Sequence, residues 1–386
     1  MSKKLPLIET ISLKGLEIAP SQTWGAVRLV PLLRKQPRKD LRLFKRKYDS
    51  DISVVDVEKD IRYISYVPHG LVLTWNDDHK PVAAVGGQLL TEGKKFACGV
   101  TKIDLLHRMA KRESKNSLRI LPLHLAMEGF LAMYFSGSAI AWQDYSRQAL
   151  SQGLSPRVEY AIAGRSIAYL EDALRIFEIH QHQVGVLLFV SETLASAFVV
   201  PTPEDYRALH SSLLEDFYSE TLYYHGLYGT VGNLETTLDE SKIRNIDDLA
   251  QALKQMRADW SNFQGFMAED ILNRELKAKR IYTAGSFSLQ RFITDLSLEQ
   301  NNYIGEVIVD DLARLQYLKI YGLSKTQTKR AYLLQQLANN DWNFERTASA
   351  QGDTLEELVQ RMEKLGFGYL INNQLREKCQ KKNRTS

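Results

Sequence analysis

Three adjacent stretches decide the fold class: Val-Gly-Val-Leu-Leu-Phe-Val at 184–190, Ala-Ser-Ala-Phe-Val-Val at 195–200 and Pro-Thr-Pro-Glu-Asp at 201–205. The first two are short, β-branched and aromatic apolar runs separated by polar residues, the pattern of two neighbouring strands. The third is a helix start. Thr202 is placed to cap, Pro203 has its φ preset for the first helical position, and Glu204 and Asp205 sit where the helix dipole favours acids. Apolar spacing through Tyr206, Leu209, Leu213, Leu214, Phe217 and Leu222 carries that helix toward Gly226. Two strands feeding one helix make an α+β region.

Working back toward the N-terminus, residues 11–100 read as strand-rich. Ile11–Ile18, Ala26–Leu33, Ile52–Val57, Tyr63–Val67, Leu71–Trp75 and Val82–Val85 are separated by Gly, Pro and Asn-Asp-Asp. The period then changes. Helices are expected over Ile103–Lys115, over Leu121–Phe135 after Pro122, and from about Pro156 to His180 with Ile162, Ile167, Leu170, Leu174 and Phe177 on one stripe.

Beyond the central stretch, Gly229–Lys242 is polar and is the best candidate linker. Helices are expected at about Ile246–Trp260 and Phe266–Lys277, with short strand-like patches at Ser286–Phe292 and Glu306–Val309. The organisation expected is therefore an α+β domain over 1–229, a mainly helical middle over 230–323 and a trihelical module with a basic tail over 324–386. The fold class is α+β, with a strand-rich N-terminal region and packed helices, followed by an all-α part that ends like a helix-turn-helix.

Composition excludes several function classes. The chain has 386 residues, 44% apolar and 25% charged, which is the balance of folded domains rather than disordered or fibrous ones. Its two cysteines, Cys98 and Cys379, form no metal-ligand spacing and no disulfide framework. Reduced thiols, a cytoplasmic setting and no membrane anchor are expected, because no signal sequence opens the chain and no apolar run approaches ~20 residues. No P-loop, dinucleotide fingerprint, nucleophile elbow, HExxH or paired catalytic carboxylate is present, so no catalytic residue, cofactor or metal is assigned, and the reading leans away from an enzyme.

The net charge of +4 hides an uneven distribution. Residues 1–50 hold twelve bases against four acids, residues 325–386 hold eleven against seven, and the stretch between them is acidic. Arg34–Lys47 concentrates the N-terminal excess, with Arg34, Lys35, Arg38, Lys39, Arg42, Lys45, Arg46 and Lys47 interleaved with Leu41, Leu43 and Phe44. That pattern suits a phosphate-tracking loop or strand for a nucleotide or nucleic acid; it equally suits a solvated hairpin or an internal partner for the acidic middle. His124 and Glu128, four apart on one helix face, make a possible polar pocket, although core apolar neighbours favour a satisfied buried pair.

The C-terminal spacing is the most specific motif. Thr328–Ala338, Phe344–Gln351 and Thr354–Leu365 read as three helices, with Gly352 and Gly366 at the turns. Asn343, Arg346, Ala348, Gly352, Leu358, Met362, Gly366 and Phe367 fall at positions that resemble a Fis-type helix-turn-helix. That resemblance implies DNA contact through Thr354, Leu355, Gln360, Arg361 and Lys364, with Arg346, Arg376 and Lys378 holding phosphate. Asp353, Glu356 and Glu357 depart from the pattern, and residues 325–375 carry six bases and six acids. A trihelical fold kept for packing or protein contact is the other reading.

A second resemblance rests on Leu16-Glu-Ile-Ala-Pro-Ser-Gln-Thr-Trp-Gly25 through Pro31-Leu-Leu33, and on Val184–Val190 followed by Thr202–Arg207 and Leu213–Tyr218. Over roughly 11–228, and most strongly over Ile120–Tyr224, the chain is similar to the second branch of a bacterial family of unassigned function. That family is named for genomic association with ADP-ribosylglycohydrolases and rhodanese/phosphatase-superfamily proteins. The resemblance implies a setting of nucleotide or ADP-ribose metabolism, stress response or phage conflict. The expected function is a cytoplasmic regulator that couples a binding domain to a DNA-contacting module. A domain that binds or acts on a nucleotide or ADP-ribose-like ligand is the alternative. Also open are a homodimer and a protein-interaction subunit of a stress or defence system.

Overall fold

The computed structural model describes residues 5–37, short strands between 41 and 163, residues 131, 134 and 135, and 177–214. It further describes scattered positions between 218 and 234, then 238–284 and 286–371. The largest sheet among the described residues has nine strands: β1 Glu17–Ile18, β2 Gln22–Trp24, β3 Val27–Leu33, β4 Gln183–Val190, β5 Thr193–Val199, β6 Leu276–Ala284, β7 Phe287–Thr294, β8 Asn302–Asp310 and β9 Leu315–Leu323. Their spatial order is β1-β3-β4-β5-β9-β8-β7-β6, with β2 on β3, and every pairing is antiparallel. The two runs at 184–200 are therefore interior strands of the sheet.

Among the described residues the helices of eight residues or more are α1 Pro203–Ser212, α2 Ile246–Met267, α3 Lys325–Asn339, α4 Phe344–Gln351 and α5 Leu355–Lys364. Local chemistry sets their ends. Thr202 accepts from Asp205 N at the start of α1, Asn245 caps α2, and Asn343 caps α4. Ser324 with Gln327 and Thr354 with Glu357 form reciprocal capping boxes on α3 and α5. Gly352 ends α4 at φ 72°, a left-handed conformation that glycine adopts without a Cβ penalty.

Both faces of the sheet are covered. On one, Val27, Leu29, Val186, Phe198, Ile304 and Tyr317 pack with Tyr206 and Leu209 of α1 and with Leu334, Leu358 and Met362 of α3 and α5. On the other, Leu32, Leu187, Val199, Phe292 and Val307 pack with Ile11, Met267 and Ile271. Strands buried on both sides lose the alternation that marks a half-exposed strand.

The α+β expectation holds as an antiparallel sheet with helices, the strands preceding the C-terminal helices. The mainly helical reading of 230–323 is corrected from Leu276 onward. That stretch is four long strands, and β9 pairs with β5, so it extends the same sheet as β3–β5. The reason is visible in the register. Arg291, Glu306 and Lys319 interrupt the apolar runs of β7, β8 and β9, yet they stand opposite one another across the ladder. Strands at Arg112–Ser114 and Tyr160–Ala163 likewise replace expected helix, the latter paired with Ser117–Ile120. The helix expected at Ile246–Trp260 extends to Met267 as α2, while the one expected at Phe266–Lys277 is reduced to the four-residue helix Glu269–Leu272 before β6 begins at Leu276.

Candidate functional site

The turn at Lys14-Gly15, the end of β3 and the start of β9 enclose a cleft of about 500 Å³. Its lining is Lys14, Gly15, Leu16 and Glu17 from the first segment, Arg34, Lys35 and Gln36 from the second, and Arg314, Leu315 and Gln316 from the third. Gly15 turns the chain at φ 90°, and Leu16 N donates to Leu13 O at 2.9 Å. Only two of the ten lining residues, Leu16 and Leu315, are large and apolar, so the cleft suits a polar occupant.

Arg34 is the anchor. It is buried, and its Nη1 and Nη2 donate to Pro201 O at 2.9 Å and Leu315 O at 2.7 Å. Its own N–H donates to His182 O at 2.9 Å. Burial pushes its guanidinium down to about 10, with Asp310 pulling the other way, so it remains a cation at neutral pH.

Asp310 organises the opposite wall. Its Oδ1 accepts from Leu312 N at 3.0 Å and Arg314 N at 2.9 Å, and its Oδ2 from Arg314 Nε at 2.8 Å and Gln316 Nε2 at 3.3 Å. Burial raises the carboxyl, but the hydrogen bonds and the charge of Arg314 prevail and hold it below the ordinary carboxylate value. Lys35 pairs with Glu17 at 2.8 Å, both side chains being exposed. The cleft lining thus sets Lys14, Arg34, Lys35 and Arg314 against the carboxylate of Glu17, with Asp310 behind Arg314 and Gln316, an excess of cation.

A second polar cluster lies beneath the helices. Arg291 Nε and Glu306 Oε1 are 2.7 Å apart, with side chains 3% and 2% exposed, and Lys319 continues the row from β9. Lys319 Nζ stands 5.4 Å from the centroid of the Tyr321 ring. Beside it Tyr218 OH donates to Ser196 Oγ at 3.3 Å, and Ser196 Oγ to Ile320 O at 2.7 Å. Burial raises the phenols of Tyr206, Tyr218 and Tyr321. His210 bridges Tyr206 OH and Phe177 O, each at 3.0 Å. A carbonyl only accepts, so Nε2 carries a proton, and burial lowers the pKa of the ring and favours its neutral form. This cluster is closed to solvent and orders the sheet–helix interface.

Of the basic run, the structure brings Arg34 and Lys35 to the cleft. Arg42 and Lys47 lie in the short strands Leu41–Leu43 and Lys47–Asp49. Arg38, Lys39, Lys45 and Arg46 lie outside the described residues, as do His124, Glu128, Arg376 and Lys378. In the C-terminal helices Arg346 Nη1 is 3.2 Å from Asp341 Oδ2, and Arg361 pairs with Asp353 and donates to Gln351 Oε1 at 2.6 Å. Thr354 is spent on the α5 cap, Leu355 packs against the core, and Gln360 and Lys364 are exposed beside Glu357 and Glu363. Among the described residues no group of three or more His, Cys, Asp or Glu is placed to hold a metal ion, and no helix is long and apolar enough to cross a membrane.

Sequence reasoning missed Lys14, Arg314, Gln316 and Asp310. The turn signal was legible: Asp310-Asp-Leu-Ala-Arg314 between two apolar runs is a hairpin connection, in which an aspartate caps the N–H groups that follow it.

The fold and cleft define a mixed α+β protein with a polar, cation-rich recess at the ends of its sheet strands. Residues 11–285 match the family model ARPP-2, and the chain belongs to that family. The matched span holds β1–β6, α1 and α2; β7–β9 and α3–α5 follow it. No curated protein and no solved structure matches the chain.

Proposed function

We propose that this protein binds a small phosphorylated ligand of the nucleotide class in the cleft between Lys14, Arg34 and Arg314. The observation that carries the reading is the charge of one recess of about 500 Å³: four cations and the carboxylate of Glu17 in its lining, Asp310 held behind Arg314, with the amides of Gln36 and Gln316 added. That volume is in the range of small-molecule sites, and cations in a recess concentrate an anion more strongly than the same charges spread over a surface. The ADP-ribose setting implied by the sequence resemblance makes ADP-ribose and ADP the first probes, in a cytoplasmic context. Binding, rather than turnover, is the extent of this reading. A thermal-shift screen of the whole chain against ADP-ribose, ADP, AMP and inorganic phosphate tests it, since a ligand that binds only the folded state raises Tm. A flat response at millimolar ligand and low salt counts against it.

DNA contact by residues 324–386 is a second reading. Its support is the succession α3, α4, α5 with Gly352 left-handed between the last two helices. Against it stand the pairing of Arg346 and Arg361 with Asp341 and Asp353, and the carboxylates on the outer side of α5. A salt-titrated binding measurement with the whole chain decides: absence of binding at low salt removes this reading and leaves the cleft untouched.

A further inference from the structure

The longest helix among the described residues, α2, carries an apolar seam whose spacing is that of a coiled coil. Ile246, Leu249, Leu253, Met256, Trp260 and Phe263 are separated alternately by three and four residues, and Met267 continues the series. That alternation is the heptad a/d pattern, which keeps one narrow stripe facing a partner helix. A helix packed on a sheet of its own chain shows a wider apolar face.

The two halves of the seam have different surroundings. Met267 is buried on the second face of the sheet, and Phe263 packs against the same cluster with the Arg28 guanidinium 5.2 Å from its ring centroid. The N-terminal half runs out from this contact. Ile246 is 80% exposed and Leu249 is 36% exposed, while Leu253 and Met256 are half-buried. Only Gln264 and Met267 among the 22 residues of α2 are buried.

We propose that the N-terminal half of α2 pairs with the same segment of a second copy of this chain, antiparallel, about a two-fold axis near Gln251. Three features select that occupant. A two-fold there sets Ile246 against the partner's Met256 and Leu249 against the partner's Leu253, so every apolar position of the half-seam meets another. Ala250 and Ala252 flank the seam at its centre and let the helices approach closely. The acids Asp247 and Asp248 stand in the first turn and the bases Lys254 and Arg257 two turns later, so an antiparallel copy opposes the helix dipoles and sets these acids at the level of the partner's bases, on the outer sides of the pair. A parallel pair would align like charges. The antiparallel pair also leaves each sheet, joined at the Phe263–Met267 end, at opposite ends of the pair. An overlap of about three turns makes a small interface, of the class that dissociates on dilution.

The test is sedimentation velocity of the full chain over a wide concentration range. The expected result is a monomer–dimer equilibrium. Ile246→Glu and Leu249→Glu should each abolish the dimer while leaving the Tm of the dilute monomer unchanged, because both side chains are exposed in the monomer. Orientation is read from chains in which Cys98 and Cys379 are replaced by Ser. When Leu249→Cys and Leu253→Cys chains are mixed and oxidised, the mixed disulfide should dominate over either self-pair. A chain that stays monomeric throughout, a dimer indifferent to both glutamate substitutions, a fall in monomer Tm, or disulfides between like chains would each overturn the proposal.

Discussion

Arg34 Nη2 donates to the main-chain carbonyl of Leu315 at 2.7 Å, although the two residues are 281 positions apart in the chain. The bond reaches from the end of β3 past β4 and β5 to the start of β9, and Arg34 Nη1 holds Pro201 O on the way. One side chain thus fastens the strand ends that form the cleft floor. It also links a strand inside the family-matched span to one beyond it.

Removing that fastening should cost stability before it costs ligand. Arg34→Met leaves the carbonyls of Pro201 and Leu315 without their donor, at about 1–3 kcal/mol for each group left unsatisfied. Arg34→Lys should recover little, because an ammonium cannot reproduce the planar fork that reaches two acceptors. Urea unfolding midpoints of the two variants check this, and a wild-type midpoint for Arg34→Lys would contradict it.

The buried Arg291–Glu306 pair predicts a non-additive cycle. Glu306→Gln leaves two neighbouring cations beneath the helices and should destabilise by about 3–5 kcal/mol. Arg291→Met with Glu306→Leu should cost less than Glu306→Gln alone, since it removes charge as well as its partner. Chemical denaturation of the two variants and the wild-type chain measures the difference.

Gly305 sits where β8 crosses under the Phe292 ring. A Cβ there would lie 2.5 Å from Phe292 Cζ and 2.4 Å from Lys319 O. Gly305→Ala must push a strand or a ring aside, so a loss of about 1–3 kcal/mol is expected, seen as a lowered Tm.

Stability should fall on the acid side because of His210. Burial holds its folded pKa below the ordinary 6.5, so the unfolded chain takes up this proton first as pH drops. The contribution is complete above about 6.5 and is lost as pH falls from there toward the folded value. His225, also lowered by burial, adds in the same direction. Tm measured from neutral to mildly acid pH should decline, and His210→Gln should flatten part of that decline.

The centre of the fold was legible in the sequence where one signal had one meaning. The apolar runs at 184–200 could only be buried strands beside the capped start at Thr202, and the C-terminal helices announced their caps and glycines. Of the strands from Leu276 to Leu323, β7 and β8 were legible only as the short patches at Ser286–Phe292 and Glu306–Val309, and β6 and β9 not at all, because Gln290, Arg291, Glu306 and Lys319 break the apolar pattern and are tolerated only through partners on neighbouring strands. The cleft was half legible for a related reason. Arg34 and Lys35 stood out as part of a basic run, but Lys14 and Arg314 join them only through the order of strands in the sheet.

The most direct test of the cleft reading is calorimetric titration of ADP-ribose into the full chain, its Lys14→Glu variant and its Arg314→Ala variant, at low salt. The reading predicts saturable binding to the wild-type chain, weakened by roughly tenfold to hundredfold in each variant, with Tm retained in Lys14→Glu and lowered in Arg314→Ala, which leaves the buried Asp310 without its cation. Binding of equal strength in all three, or none in the wild-type chain for ADP-ribose, ADP or phosphate, would contradict it.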